Sequence, residues 1–183
     1  MDRRQRKTRE AIFEAFTELL SKKRFSRITV GEIIEKADVG RATFYAHFET
    51  KDHLLKAFCE ELFCHVIDKA ENGGADHRHI FSCDEKGSVF YHLFLHIQKN
   101  DNNIRALFSC PDNELFLSYF KNDLKKLAEV NLHLFEGAKK EKLPRDFFIN
   151  HISSSFVETV KWWVDGGMRE SAEAVAEYFY LAV

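Results

Sequence analysis

Apolar residues recur at every third or fourth position over most of this chain, which is the spacing of one face of an α-helix. No segment alternates apolar and polar residues as a half-buried strand does, and no internal repeat is present. The pattern predicts helices over residues 3–20, 29–36, 41–48, 50–72, 89–97, 104–108, 112–138, 144–165 and 171–180. We therefore expect an all-α fold of about nine helices, with a small N-terminal bundle and a larger C-terminal one. A polar, His-rich segment over 72–86 is expected to form a loop.

Residues 28–51 predict two short helices joined by a tight turn, followed by the start of a third helix. Thr29 and Glu32 have the spacing of a capping box, in which a hydroxyl and a carboxylate each accept a hydrogen bond from a free amide at the helix start. Asp38 and Gly40 lie in the turn, since Asp tolerates the left-handed backbone conformation and Gly adopts it freely. Apolar side chains hold the two helices at a fixed angle, namely Ile33, Ile34, Val39 and Phe44. The polar face of the second helix is then free to enter a DNA groove.

Four motifs in this stretch follow one another at fixed distances. They read Thr29-Val30-Gly31-Glu32-Ile33-Ile34, Ala37-Asp38-Val39, Thr43-Phe44-Tyr45-Ala46-His47-Phe48 and Lys51-Asp52-His53-Leu54-Leu55. Over residues 1–55 the chain resembles the DNA-binding domain of tetracycline-repressor (TetR) family regulators. It departs from the family's usual pattern at Asp38, where Gly is usual, and at Gly40, where a Ser-like cap is common. The resemblance implies a helix-turn-helix domain over 1–50 and a ligand-binding and dimerisation domain over 51–183.

Seven side chains are predicted to contact DNA, and they are Thr29, Arg41, Ala42, Thr43, Tyr45, His47 and Lys51. Three of them, Arg41, Ala42 and Thr43, open the second helix of the motif, where side chains reach base edges. Arg41 can bond guanine through two donors, and the Thr43 methyl group can contact the methyl group of thymine.

The other four positions are predicted to contact phosphates. Thr29 and Lys51 lie at helix starts, where free amides and the helix dipole favour an anion. For Tyr45 and His47 the resemblance implies phosphate contacts, and half-buried packing is the alternative.

Charge is unevenly distributed along the 183 residues, although the formal net charge is only −2. Residues 1–51 contain 12 Lys or Arg and 8 Asp or Glu, a net of +4, whereas residues 52–183 contain 15 and 21, a net of −6. A basic N-terminal part can be held against phosphate while the acidic remainder is repelled from it. Chance clustering of solvated charges is the alternative explanation.

No apolar run reaches the roughly 18 residues that a membrane span needs, and the N-terminal residues contain no apolar signal segment. We expect a cytoplasmic protein with no membrane partner. The cysteines form no CxxC pair, and they are Cys59, Cys64, Cys83 and Cys110. Reduced thiols that act as small core residues are expected, with a redox sensor as the alternative.

The predicted helix over 144–165 is apolar on more than one face, and such a helix needs a second partner besides its own core. The resemblance likewise implies that the C-terminal bundle dimerises. The predicted interface contains Phe147, His151, Ser154, Glu158, Trp162, Val175, Tyr178 and Phe179. A symmetric homodimer would bind a palindromic operator in double-stranded DNA, with half-sites about 34–36 Å apart.

The resemblance also implies a cavity for a small-molecule effector, whose identity stays open. Its predicted lining contains His92, His96, Tyr119, Phe120, Phe156 and Trp163. A filled aromatic core is the commoner arrangement for such residues. His92 and His96 are four residues apart on a predicted helix, a spacing that suits a metal ion, but no third ligand is evident. We therefore predict no metal and no other cofactor.

These observations predict a DNA-binding transcriptional regulator, a repressor that a small-molecule effector releases. The alternative is a coactivator or partner-binding protein of the same fold with weak or no DNA binding. The Trp-Trp-Val-Asp-Gly-Gly stretch over 162–167 is similar to the family branch that contains dihydroxyacetone-kinase operon activators. An enzyme is not predicted, because the sequence has no P-loop, dinucleotide fingerprint, GxSxG or HExxH motif.

Overall fold

The computed structural model describes residues 3–72, 87–110, 113–135 and 142–183, and within them the chain forms nine α-helices and three 3₁₀ turns. The helices are α1 (Arg3–Lys22), α2 (Val30–Lys36), α3 (Arg41–His47), α4 (Lys51–Asn72), α5 (Val89–Lys99), α6 (Ile104–Phe108), α7 (Glu114–Val130), α8 (Arg145–Asp165) and α9 (Ala172–Ala182). The 3₁₀ turns are Phe25–Arg27, Asp101–Asn103 and Leu132–Phe135. The predicted all-α fold is confirmed. None of the helices described is both long and apolar enough to cross a membrane.

Helices α1, α2 and α3 form the head of the molecule, and local caps set where they begin. The Thr29 side chain accepts a hydrogen bond from the Glu32 amide, and the Glu32 carboxylate accepts one from the Thr29 amide, so the predicted capping box is confirmed. Asp38 adopts the left-handed conformation with φ of 52°, and Gly40 is the N-cap of α3. The core of the head contains Ile12, Phe13, Phe16, Ile33, Phe44 and Phe48.

Helices α4 to α9 form the body, in which α7 packs against both α4 and α8, and α5 packs along α9. Buried aromatic rings fill its centre. Phe94 stacks on Phe156 with 4.4 Å between ring centroids, and Phe156 lies 6.2 Å from Phe120. Trp163 meets Phe94 edge-on at 6.0 Å, and its indole N–H donates to the Glu170 carbonyl at 3.1 Å. We call these four rings the aromatic cluster, and they hold α5, α7 and α8 together.

Side-chain hydrogen bonds connect α1 to the body. The Arg9 guanidinium in α1 donates to the Glu61 carboxylate in α4 at 3.1 Å. The Asn103 amide donates to the Thr17 carbonyl of α1 at 2.8 Å. Asn103 belongs to the asparagine turn, residues 100–103, in which three asparagines have positive φ. Asn visits this conformation at a lower cost than most residues, because its short polar side chain can hydrogen-bond locally.

Helix α7 is shorter than the helix predicted over 112–138, so that prediction is corrected. It spans Glu114–Val130, and the Asn131 side chain then donates to the Leu127 carbonyl at 2.9 Å. The apolar pattern continues past the helix because Phe135 reaches the core from the following 3₁₀ turn. The last residues of the predicted helix lie outside the described residues, as does the predicted His-rich loop beyond the end of α4.

Candidate nucleic-acid interface

The face of α3 that turns away from the core carries the predicted base-reading residues. Phe44 and Phe48 point into the head, where they are 0% and 1% exposed. Arg41, Ala42 and Thr43 are exposed at the start of the helix. The head therefore presents these three side chains at the N-terminal end of a helix whose opposite face is anchored by aromatic rings.

Tyr45 and His47 lie further along the same helix. Tyr45 is 46% exposed, and its ring meets Phe44 edge-on at 5.5 Å. His47 is partly buried; this burial lowers the pKa of its imidazole, and the charge of Arg9 lowers that pKa further. A neutral imidazole still has one N–H to donate, so both side chains can offer a donor to a phosphate.

Thr29 is exposed at the start of α2, but its hydroxyl is already engaged. It donates to the Glu32 carboxylate at 2.9 Å, and Lys23 forms an ion pair with the same carboxylate. The hydrogen bond from Lys23, followed by those from Thr29, lowers the pKa of Glu32 to about 2. A phosphate at this helix start would have to replace Glu32 as the acceptor for the Thr29 hydroxyl.

Lys51 holds the loop before α2 in place. Its ammonium donates to the Phe25 and Ile28 carbonyls, both at 2.9 Å, and lies 4.2 Å from the centroid of the Phe25 ring. Burial lowers the pKa of Lys51, and the nearby Asp52 carboxylate offsets part of that change. An ammonium has three donors, so one stays available for a phosphate.

Arg9 was not among the predicted residues, yet it connects three helices. Its guanidinium lies 5.0 Å from the Phe13 ring and 5.1 Å from the Phe48 ring, while it also pairs with Glu61. It thereby ties α1 to the C-terminal end of α3 and to α4. The spacing of Arg9 and Phe13, four residues apart on one helix, is a sequence signal that could have indicated this contact.

The residues predicted to line an effector site all lie in the body. Five of them are buried, and they are His92, His96, Phe120, Phe156 and Trp163. Tyr119 is partly buried on α7 and packs against the core. Since Phe120, Phe156 and Trp163 belong to the aromatic cluster, they act as filled core in this conformation. Effector binding at these positions stays a prediction.

A polar contact connects one of the effector candidates, the buried His96, to the asparagine turn. The His96 imidazole and the Asp101 carboxylate are 2.6 Å apart, and the His65 ring lies 4.9 Å from that of His96. Asp101 begins the 3₁₀ turn that ends at Asn103, whose amide bonds to α1. His65 and Asn103 were not predicted from the sequence, because their contacts join segments that are distant in the chain. Asp101 was not predicted either, although its partner His96 is only five residues away.

The predicted dimer residues divide into two groups. The exposed or partly exposed ones are Phe147, His151, Ser154, Glu158, Trp162 and Tyr178. Phe147 stacks on His151 at 6.5 Å, and Trp162 contacts Tyr178 at 6.4 Å. Val175 and Phe179 are corrected, because they are 0% and 1% exposed inside the same protomer. Phe179 packs against the Phe90 and Phe94 rings of α5, and neither buried side chain is left exposed to a second copy.

The described cysteines are free thiols, and they are Cys59, Cys64 and Cys110. Burial raises the pKa of Cys59 well above its ordinary value, which makes it an unreactive core residue. Cys83 lies outside the described residues. Among the described residues, no group of three His, Cys, Asp or Glu is placed to hold a metal ion.

Two known families match this chain. Residues 12–58 match the family described as "Bacterial regulatory proteins, tetR family". Residues 84–183 match the family described as "Transcriptional regulator C-terminal region". The first segment contains α2, α3 and the predicted DNA-contacting residues, and the second contains α5 to α9.

A solved TetR transcriptional regulator from Streptococcus agalactiae is 33% identical to this chain, with a TM-score of 0.70, covering 100% of this chain and 96% of that one. The uncharacterised HTH-type regulator YxbF of Bacillus subtilis is 38% identical over 69 residues, which are 37% of this chain but only 18% of that protein. The dhaKLM operon transcriptional activator DhaS of Lactococcus lactis is 24% identical over 153 residues, 82% of this chain and 71% of that protein.

Proposed function

The chain belongs to the TetR family of bacterial transcriptional regulators, and from this membership we propose that it represses transcription by binding a palindromic operator as a homodimer until a small-molecule effector releases it. The observation that carries the proposal is the placement of α3. Arg41, Ala42 and Thr43 are exposed on a helix whose other face is buried through Phe44 and Phe48.

Dimerisation is supported by a surface on α8 and α9, which we call the aromatic face: Phe147, Trp162, Tyr178 and Leu181. These side chains are 57%, 52%, 48% and 78% exposed in the single protomer. Large apolar side chains exposed together on neighbouring helices are typical of an interface. A two-fold pairing through this face would form a four-helix contact and place two copies of α3 on successive turns of the same DNA groove.

Release by an effector is supported by the path from the body to α1. The buried His96 pairs with the partly exposed Asp101 at the asparagine turn, and Asn103 of this turn bonds to the Thr17 carbonyl. An effector that binds better to one position of this turn would favour one position of α1 and of the head. Only a difference in affinity between the two states can drive such a change.

The test is selection of duplex DNA by the wild-type chain in vitro, followed by measurement of its affinity for the selected operator and for a scrambled duplex. We expect a palindromic consensus and a steep fall in affinity with salt. Arg41→Ala should cost about 1–3 kcal/mol in operator binding and relax base preference at one position of each half-site. Arg169→Ala, an exposed change in the body, is the matched control. No enrichment of any sequence would contradict the proposal.

One observation favours a second candidate. DhaS, which matches most of this chain, is named as a transcriptional activator. This chain would then act as a coactivator that binds another protein, with the aromatic face as its contact surface. A chain that raises reporter transcription in cells but shows no operator preference and a shallow salt dependence in vitro would support this candidate over repression.

A further inference from the structure

The first turns of α1 carry several basic side chains, and none of them is among the predicted DNA-contacting residues. Its basic side chains are Arg3, Arg4, Arg6, Lys7 and Arg9, and residues 3–9 contain no acidic residue. We call residues 3–7 the basic arm. These residues precede the family match, which begins at residue 12. Every residue of the basic arm is exposed, and the first buried residue of α1 is Ile12.

The charge of the basic arm is only partly neutralised within the described structure. Arg6 pairs with Glu10 at 3.5 Å, with both side chains about half exposed. Among the described residues, Arg3, Arg4 and Lys7 form no ion pair. The first turn of α1 contains no acidic residue that would complement the helix dipole. The arm therefore keeps a net positive charge toward solvent.

This arrangement is unfavourable for the helix on its own. Arg3 and Lys7 are four residues apart, and Arg3 and Arg6 are three apart, so like charges are neighbours on the helix surface. Like charges at this spacing destabilise a helix. Positive side chains at a helix N-terminus also oppose the positive end of the helix dipole. A bound polyanion would relieve both effects.

Contacts along α1 fix where the arm lies. Thr17 bonds to the asparagine turn of the body, whereas Arg9, about two turns earlier, lies against Phe48 at the end of α3. The charge of Arg9 also reaches His47. Because a helix rises 1.5 Å per residue, the arm lies roughly 3–9 Å beyond Arg9, on the side away from Thr17 and the asparagine turn. It therefore extends the charge at the end of α3.

We propose that the basic arm binds phosphates of the duplex that flanks the base pairs read by α3, and so adds affinity without adding base specificity. This inference rests on the proposed function, since it needs α3 in the groove. Lysine and arginine contacts with phosphates release counterions and strengthen binding to any sequence. Flexible, exposed side chains without base-edge geometry suit that role.

The experiment uses the full chain with Arg3→Gln, Arg4→Gln and Lys7→Gln combined. The matched control combines Lys125→Gln, Lys142→Gln and Arg169→Gln, which removes the same charge from exposed positions of the body. Affinities for the selected operator and for a scrambled duplex are measured by fluorescence anisotropy across a range of salt concentrations. Thermal unfolding followed by circular dichroism reports the folding of each variant.

The arm variant should weaken binding to both duplexes by the same factor, so that their affinity ratio is unchanged. For the homodimer, the slope of log affinity against log salt should become shallower by about 5, close to one unit for each of the six phosphate contacts that its two arms lose. Its melting temperature should equal or exceed that of the wild type, because like-charge repulsion is removed. The control variant should keep the wild-type slope.

Two results would overturn the inference. The first is a wild-type slope and affinity in a folded arm variant, with the operator still preferred; the arm is then a solvated helix end and the proposed function stands. The second is a changed affinity ratio, which would show base readout. If the wild-type chain itself prefers no sequence, the proposed function fails, and that result is distinct from both.

Discussion

Lys51 has the charge and the helix position that the sequence predicts, but its ammonium also holds the loop before α2 in place. The sequence placed a cation at a helix start, where a phosphate is favoured. In the fold its ammonium bonds to the carbonyls of Phe25 and Ile28. The charge and helix position follow from local sequence, but the two acceptors lie 23 and 26 residues away in the chain. Contacts at that separation depend on the packed fold, so the sequence pattern did not indicate them.

Lys51→Met tests this second task. It removes two hydrogen bonds from a charged donor, so the free energy of unfolding should fall by about 1–3 kcal/mol. Urea unfolding measures the change. Lys56→Met, further along α4, is the matched control. Among the described residues Lys56 forms an ion pair with Glu60, with both side chains about half exposed, so this change should alter stability by less than about 0.5 kcal/mol. If the two variants were equally stable, the contacts of Lys51 with the two carbonyls would not stabilise the fold.

His47 predicts a dependence of DNA affinity on pH. Burial and Arg9 lower the pKa of His47 in the free protein, whereas a phosphate would favour the charged ring and raise its pKa in the complex. Binding then takes up a proton, so affinity should fall as pH rises between these two pKa values.

Anisotropy titrations from about pH 5.5 to pH 8 check this dependence. His47→Gln should flatten the profile, while His133→Gln, an exposed change in the body, should leave it as in the wild type. The same slope in all three proteins would show that another group titrates and that His47 does not touch phosphate.

At the scale of single elements, helix starts were predictable because their determinants are local. The capping box at Thr29 forms as the sequence predicts. The last helix was predicted from residue 171, and there the Ser171 side chain accepts a hydrogen bond from the Ala174 amide at the start of α9. The end of α7 was not predictable, since it depends on Phe135 entering a core built by distant segments. A helix cap depends on residues within about four positions of the helix start. The position of a helix end such as that of α7 depends on tertiary packing.

Helix α3 has seven residues and no side-chain cap, so a residue that caps its N-terminus should stabilise it. Gly40 has φ of −71° and ψ of 152°, which suits any residue, and a Cβ there would lie 3.6 Å from the Thr43 hydroxyl, an ordinary contact. Gly40→Ser should stabilise the protein by about 0.5–1 kcal/mol, through a new cap and a less flexible unfolded chain.

Gly40→Ala is the matched comparison, because it restricts the unfolded chain without supplying a hydroxyl. Thermal unfolding should place the serine variant above wild type, and the alanine variant below the serine variant. Equal stability of the serine and alanine variants would show that no hydroxyl cap forms at α3.

At the scale of the whole molecule, the apolar periodicity predicted which residues are buried. It did not predict whether they are buried within the protomer or against a second copy. Val175 and Phe179 follow the same pattern on α9 as Tyr178, yet they are buried within the protomer, and Tyr178 is 48% exposed. The difference depends on where α5 lies against α9. Assembly must therefore be inferred from what folding leaves exposed, and on α8 that is Phe147 and Trp162.

Trp162→Glu tests assembly through the aromatic face. Trp162 is 52% exposed in the protomer, so the change spares the core, but it would place two carboxylates in a two-fold interface, where unpaired buried charge is strongly unfavourable. Sedimentation velocity should show monomers, and operator affinity should fall because two half-sites can no longer be bound together. Val130→Glu on α7, where Val130 is 72% exposed, should leave both unchanged. A Trp162→Glu protein that stays dimeric and binds the operator normally would place the interface elsewhere on the surface.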